Sequence, residues 1–456
     1  MNMFVISVLA FLFAIGVLVA VHEWGHYIVA RMAGVKVLRF SIGFGKPIWS
    51  RIAGPDQTEY CVSAIPLGGY VKLLDEREGD VPVTELSRAF NRIPVSRRIA
   101  ILLAGPFMNF IFAIFAFWLM YTVGVPGLQP IVGEVQVGSI AAQAGLQPED
   151  RIVVVGNQSV ATWEGTMLEI LNEMLSDDEI RMEIARSDGT SHTLSLNIEG
   201  KIGELTEPGE LFNGLGMSPW SPTLEPIVDE IIVGGAAESA GLLSGDRVVS
   251  AAGQPVASWI DWVEYVRLRP GEEVELLIDR QGQRQRALLT IGKMQLDDGT
   301  IIGRIGAGPM VPDGLYDRYS DLQRYGIIAA IPVAFERTWS MSFLTIRMVT
   351  RIVTGDVSVK NIGGPINIAQ YAGYSASIGV AAFLNFLAVV SLSLGILNLL
   401  PVPVLDGGQV LYQLLELLKG SPLSARAELV GQQIGILFLM IVMGFAFYND
   451  LSRVFS

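Results

Sequence analysis

The segment His22-Glu23-Trp24-Gly25-His26 has two histidines four residues apart, with a glutamate directly after the first. In a helix, residues i and i+4 lie on one face, so both imidazoles can bind one metal ion, for which Zn²⁺ is the expected choice. Glu23 can then reach the open side of that ion as a general base. The chain has only three histidines, and two of them stand here. The spacing therefore predicts zinc-dependent hydrolysis, with His22 and His26 as ligands and Glu23 as the catalytic base.

A catalytic zinc site needs a third protein ligand and one position left for water. Asp406 is the strongest candidate, because it is the only acidic residue within 357–415 and stands in the apolar, proline-containing stretch 398–408. Two alternatives stay open from the residues alone. The Asp406 side chain could instead cap a helix N-terminus. Asp56 or Glu59, the first carboxylates after the histidine motif, could provide the third ligand.

The composition predicts a protein with both membrane-embedded and soluble parts. Its 456 residues are 51% hydrophobic with a mean hydropathy of +0.45, yet 17% are charged. Four apolar runs are long enough to cross a bilayer. They are uncharged, except that the first contains the zinc motif. They lie at 4–30, 99–125, 378–400 and 430–448. Residues 325–353 are also apolar, but charged residues divide them, so we expect amphipathic helices on the membrane surface there. These charges are Glu336, Arg337, Arg347 and Arg351.

Charge differs between the two longest polar segments. Residues 31–98 contain eleven Lys or Arg and seven acidic residues, whereas 125–324 contain fourteen and thirty-one. Because basic loops remain on the cytoplasmic side of a membrane, we expect the first loop in the cytoplasm and the large segment outside. Four crossings then place both termini outside as well. The net charge of −13 argues against nucleic-acid binding.

The large segment contains an internal repeat with an offset of 96 residues. Residues 130–163 align without gaps on 226–259. Each copy has a short apolar strand, a small-residue helix closed by Ala-Gly-Leu, and an Asp-Arg pair that opens another strand. This pattern resembles PDZ domains, which bind extended peptides as an added strand. Two tandem PDZ-like α+β domains are predicted, and for each copy peptide binding and a rigid spacer role both stay open.

The combined motifs resemble the site-2 protease family of intramembrane zinc metalloproteases. The resemblance rests on the histidine motif in the first apolar run and on the distal stretch 398–408, NLLPVPVLDGG. Further matches are Gly43-Phe44-Gly45 and Gly105-Pro106, the latter followed by Asn109. We expect Asn109 to serve helix packing through a hydrogen bond rather than catalysis.

The resemblance implies a metalloendopeptidase of the bacterial inner membrane, with Zn²⁺ as cofactor and periplasmic PDZ-like domains. Its partners would be the lipid bilayer, peptide ligands of the PDZ-like domains, and single-pass proteins of the anti-sigma-factor or signal-peptide type. Such a protein would be cut within its transmembrane segment after a first extracytoplasmic cleavage. The resemblance also implies a β-loop around the GFG motif that dips into the membrane and pairs with unwound substrate. The implied substrate-binding residues are Asn398, Pro401, Pro403, Gly43, Phe44 and Gly45.

We therefore expect an α-helical polytopic membrane protein with four transmembrane helices, a membrane-associated β-loop and two tandem PDZ-like α+β domains. The expected parts are a first membrane core (1–125), two PDZ-like domains (126–222 and 223–311), an amphipathic membrane-surface segment (312–376) and a second membrane core (377–456). A catalytically inactive membrane PDZ scaffold is the alternative function, although all four predicted metal-ligand and base residues are present in this sequence. A metal transporter would require several intramembrane carboxylates or histidines along a path.

Overall fold

Four helices in the computed structural model are long and apolar enough to cross a membrane. The structure describes residues 3–207, 209–295, 300–312, 314–315 and 319–455. Within these residues the four candidate spans are Met3–Met32, Val95–Val123, Val380–Asn398 and Arg426–Ser452. They agree in number and place with the four predicted spans, as expected for a polytopic membrane protein.

The N-terminal part combines two long helices with one antiparallel sheet. Its elements are α1 (Met3–Met32), β1 (Val37–Ala53), β2 (Thr58–Leu73) and α2 (Val95–Val123). α1 packs against α2, and Gly25 makes their close approach possible, because a methyl group there would overlap the Ala104 carbonyl oxygen.

Each of the two long strands takes part in more than one pairing. Residues 37–42 of β1 pair with 69–73 of β2 on one side and with 59–62 on the other, while 47–53 pair with 58–63. The segment 69–73 is therefore an edge, and it lies against α1. This folding of two strands into a wider sheet places one edge beside the histidine motif.

The large segment contains two units of similar architecture. The first comprises β3 (Val125–Leu128), β4 (Val132–Val135), α3 (Ile140–Gln143), β5 (Arg151–Val155), β6 (Gln158–Ser159), α4 (Trp163–Met174), β7 (Glu179–Ala185), β8 (Ser191–Asn197), α5 (Ile202–Leu205), α6 (Glu210–Leu215) and β9 (Met217–Pro219). The second comprises β10 (Val228–Ile231), α7 (Ala236–Ser239), β11 (Arg247–Ala251), β12 (Gln254–Pro255), α8 (Trp259–Arg267), β13 (Glu273–Arg280), β14 (Gln283–Thr290), β15 (Gly292–Gln295), β16 (Ile301–Arg304) and β17 (Ala307–Pro309). Their four-stranded sheets have the same order, β6-β5-β7-β8 and β12-β11-β13-β14. The elements expected of each repeat are present, and the PDZ-like assignment stays a prediction.

The C-terminal part returns the chain to the first two spans. It comprises β18 (Ser320–Gln323), α9 (Ala330–Thr354), α10 (Pro365–Ile378), α11 (Val380–Asn398), α12 (Asp406–Lys419) and α13 (Ala425–Phe455). β18 pairs with β3 at the end of α2. Both α11 and α12 pack against α2, and Ser391 of α11 donates a hydrogen bond to the Asn109 carbonyl at 3.0 Å.

Within 325–353, where amphipathic helices are predicted, the structure has one continuous helix, α9, and its place at the membrane surface stays a prediction. Its charged side chains contact the first repeat unit instead of interrupting the helix. Arg337 pairs with Glu164 at 2.8 Å, and Arg347 donates to the Asn172 carbonyl at 3.1 Å. Leu344 on the same helix belongs to the core of that unit. The surface of the first repeat unit therefore provides partners for two of the charges that divide this apolar segment.

Candidate metal centre and active site

Three of the residues singled out by the sequence meet at one point between α1 and α12. The His22 Nε2 and His26 Nε2 atoms are 3.2 Å apart. Asp406 Oδ2 lies 3.2 Å from the first and 3.6 Å from the second. Both histidines are buried, and Asp406 is half-buried. The structure thus brings together the three residues predicted as metal ligands, from opposite ends of the chain.

The spacing of these donor atoms fits a zinc ion. Nitrogen and oxygen ligands bound at about 2.0–2.1 Å in a tetrahedral arrangement stand about 3.3–3.4 Å apart. The three observed separations, 3.2, 3.2 and 3.6 Å, lie around that value. Among the described residues no donor hydrogen is aligned with the buried Asp406 Oδ2. Two imidazole nitrogens and one carboxylate oxygen are a donor set found in catalytic zinc sites.

The position of Asp406 is determined by the turn that precedes α12. Asp406 is the first residue of that helix, whose N-cap is Leu405 and has no side-chain cap hydrogen bond. The alternative that Asp406 caps the helix is therefore wrong. Gly407 and Gly408 allow the loop to fold back, since methyl groups there would overlap the carbonyl oxygens of Leu399 and Val402.

The other two candidate ligands have different partners. Asp56 accepts a hydrogen bond from Arg88 at 2.8 Å, and this contact holds the pKa of the Asp56 carboxyl below its ordinary value. Glu59 is bound by Arg39 at 2.7 Å. Neither belongs to the cluster around the histidines among the residues that the structure describes.

α2 contacts the far side of both histidine rings. His26 Nδ1 lies 2.8 Å from the Ile101 carbonyl oxygen, to which it donates, and His22 Nδ1 lies 3.1 Å from the Asn109 side-chain amide. A methyl group at Gly105 would overlap the imidazole of His26. These contacts direct the Nε2 atoms of both rings towards Asp406. The expectation that Asn109 only packs helices together misses its contact with His22.

Glu23 is covered by the edge of the sheet. The residue is 8% exposed. A methyl group at Gly69 would stand 3.0 Å from Glu23 Cγ, so the absence of a side chain at Gly69 lets the sheet edge lie directly against the predicted base.

The predicted substrate-binding residues lie in two separate places. Gly43 and Gly45 have positive φ angles of 92° and 88°, and a methyl group at Gly43 would come within 2.9 Å of the Ser63 carbonyl oxygen. Gly43 thus serves a close contact within the sheet, whereas the strand residue that lies against Glu23 is Gly69. The exposed ring of Phe44 stacks on Tyr70. Asn398 is the last residue of α11, and Pro401 and Pro403 lie in the loop before α12. Substrate contact by these six residues stays a prediction.

We expect the substitution Asn109→Ala to lower zinc affinity by about 10- to 100-fold. A histidine that binds metal through Nε2 carries its hydrogen on Nδ1, so in the zinc form the Asn109 amide must present its oxygen to His22. Asn109→Asp keeps an acceptor and should retain more affinity than the alanine variant. Competition with a zinc-binding dye measures both, and an alanine variant with unchanged affinity would contradict the assigned contact.

The sequence is similar to those of known proteases along nearly its whole length. The sequence pattern of peptidase family M50 matches residues 10–442, which include both histidines and Asp406. The regulator of sigma E protease of Salmonella typhi is 42% identical over 448 residues, or 98% of each chain. The regulator of sigma-E protease RseP of Escherichia coli (strain K12) is 41% identical over 446 residues, again 98% of each. A putative zinc metalloprotease of Neisseria meningitidis is 39% identical over 452 residues, which cover 98% of this chain and 99% of the relative.

Proposed function

The chain belongs to peptidase family M50, and we propose that His22, His26 and Asp406 bind the zinc of this intramembrane metalloprotease while Glu23 acts as its base. The family membership establishes an intramembrane zinc metalloendopeptidase. The observation that carries the residue assignment is the triangle of donor atoms, with sides of 3.2, 3.2 and 3.6 Å, at the end of an apolar span.

Glu23 performs the proton transfers of the proposed mechanism. Zinc, when bound, supplies Lewis acidity towards water and towards the peptide carbonyl. The Glu23 carboxylate accepts a proton as water attacks the carbonyl carbon, and it donates that proton to the departing amine as the C–N bond breaks. Glu23 thereby returns to its starting form. Ile101 and Asn109 hold the histidine rings throughout, and the sheet edge at Gly69 lies against the base.

The proposed substrate is the transmembrane helix of a single-pass membrane protein. A helix satisfies its amides internally, so it must unwind before a peptide bond can reach the metal. The sheet edge 69–73 supports this proposal, because a strand edge beside Glu23 can receive an unwound segment as an added strand. Asn398, Pro401 and Pro403 are proposed to contact the same segment from the loop before α12, and Gly43, Phe44 and Gly45 to shape the β-loop.

The repeat units are proposed to be PDZ-like domains that face the periplasm, with both termini outside and the first loop in the cytoplasm of a bacterial inner membrane. The basic first loop and the acidic repeat segment support this orientation. The first unit is bound to the membrane part through α9 and β18, so it stands directly at the ends of the spans. An intact folded domain on a substrate would collide with it. We therefore propose that substrates are cut first outside the membrane, as for anti-sigma factors or signal peptides.

A cleavage assay with the purified full-length protein tests this proposal. Two substrates share one transmembrane helix, and only one of them keeps a folded extracytoplasmic domain. We expect cleavage within the helix of the trimmed substrate at a rate at least about tenfold above that of the untrimmed one, with complete loss after zinc chelation and recovery on zinc addition. Equal rates for the two substrates would contradict the requirement for a first cut. Cleavage that persists without zinc would contradict the metal assignment.

A further inference from the structure

An ion pair between two weakly exposed side chains connects the helix of Asp406 with the helix behind the histidines. Arg98, in the first turn of α2, donates from Nη1 and Nη2 to the two carboxylate oxygens of Glu416 on α12, at 3.0 and 2.7 Å. The side chains retain 7% and 17% of their exposure. A bidentate pair of a guanidinium and a carboxylate fixes orientation as well as distance. The contact therefore restrains how α12 lies on α2.

α12 has few other buried contacts that could set its direction. Within the helix only Gly408 and Gln413 are buried. The leucines around Glu416 are exposed, and they are Leu414, Leu415, Leu417 and Leu418. The loop before the helix contains two prolines and no regular structure. α12 is thus held by the packing of Gly408 and Gln413 and by polar contacts at two points, at its start, where Asp406 meets the histidines, and in its third turn, where Glu416 meets Arg98.

The partner helix α2 also orients both histidines. Arg98 lies one turn from Ile101, whose carbonyl accepts from His26, and two turns further on Asn109 contacts His22. α2 therefore contacts both histidines directly. It is also connected, through the ion pair, with the helix that begins at Asp406. Any shift of α12 along α2 would move Asp406 Oδ2 away from the two Nε2 atoms.

From this arrangement we infer that Arg98 and Glu416 are positioning residues, which hold Asp406 at the distance that zinc binding requires. The inference rests on the proposed function, since it takes Asp406 as a zinc ligand. It predicts that the pair affects zinc affinity even though neither side chain contacts the three donor atoms. A pair that only stabilised the fold would instead change the unfolding temperature of the zinc-free protein and leave zinc affinity unchanged.

Zinc competition with a chelating dye, on the purified full-length protein, tests the inference. We expect Glu416→Gln to weaken zinc binding by about 10- to 100-fold, the range for groups that orient metal ligands. Arg98→Lys keeps the positive charge but cannot donate from two fixed nitrogens to both Glu416 oxygens, so it should weaken zinc binding less than Glu416→Gln does. The reversed pair Arg98→Glu with Glu416→Arg should recover at least half of the loss on a logarithmic scale. Glu76→Gln is the matched control, because Glu76 forms a comparable but more exposed pair with Arg92.

The outcomes distinguish the inference from the proposed zinc site. Wild-type zinc affinity in both Glu416→Gln and Arg98→Lys would overturn the inference, and so would an equal loss in Glu76→Gln. If the Glu416→Gln variant does not fold, the zinc affinity of Arg98→Lys alone tests the inference. Asp406→Ala is measured in parallel. If it loses zinc while the pair variants keep theirs, only the positioning role fails, whereas retention of zinc by Asp406→Ala overturns the proposed ligand set itself.

Discussion

Replacing Glu23 with Gln is expected to abolish cleavage while leaving the zinc content near that of the wild type. The glutamine amide keeps the shape of the side chain but cannot accept and return a proton. General acid–base groups contribute about 10²- to 10⁴-fold to rate, and both proton transfers here fall on one residue, so a loss of at least about 10³-fold in kcat is expected. Glu23 is not among the three clustered donor atoms, so the metal should stay bound.

Metal content and product formation are to be measured on the same preparation. Glu85→Gln is a suitable control. Glu85 lies between β2 and α2, where it binds Lys36, and it is outside the cluster of histidines and Asp406. It should retain wild-type cleavage. Substantial turnover by the Glu23 variant would show that another group transfers the proton. Loss of zinc from that variant would show that Glu23 helps to bind the metal, so that its loss of activity could not be assigned to proton transfer.

The parts of the site that follow from local spacing could be predicted from the sequence. Residues four apart on one helix share a face whatever surrounds them, so a shared metal at His22 and His26 could be predicted without knowledge of the fold. Asp406 was identified by its isolation among apolar residues and by the family resemblance. The apolar spans followed from length and hydropathy in the same way.

The contacts that depend on how elements rotate against each other could not be predicted. Asn109 faces His22 only because α2 lies on α1 with that side turned inward, and a single helical sequence does not specify this rotation. The contact of Gly69 with Glu23 requires that β2 return as the edge of a folded sheet. The charges of α9 indicate an amphipathic helix, but the sequence pattern does not show that Arg337 and Arg347 have partners on a domain far away in sequence.

Replacing Asp406 with Ala is expected to remove both zinc and activity. The carboxylate supplies one of three donor atoms, and its loss leaves two imidazoles, too few for a stable catalytic site. Changes to groups that merely orient ligands cost about 10- to 100-fold in affinity, so the loss of a ligand should exceed about 100-fold. Added zinc at high concentration should restore occupancy only in part, and cleavage should remain low because the geometry around the metal is altered.

Two matched controls make this result specific to Asp406. Asp56→Ala and Glu59→Ala remove the carboxylates that the sequence left open as alternative ligands, and in the structure these bind Arg88 and Arg39. Both variants should keep wild-type zinc stoichiometry, although Asp56→Ala removes the ion pair with Arg88, which is partly buried, and can lower stability by about 1 kcal/mol. Zinc loss in either control with zinc retained in Asp406→Ala would move the third ligand to the sheet. Zinc loss confined to Asp406→Ala would instead tie the metal to the turn between α11 and α12, and any movement of that turn would then control whether the site can hold its metal.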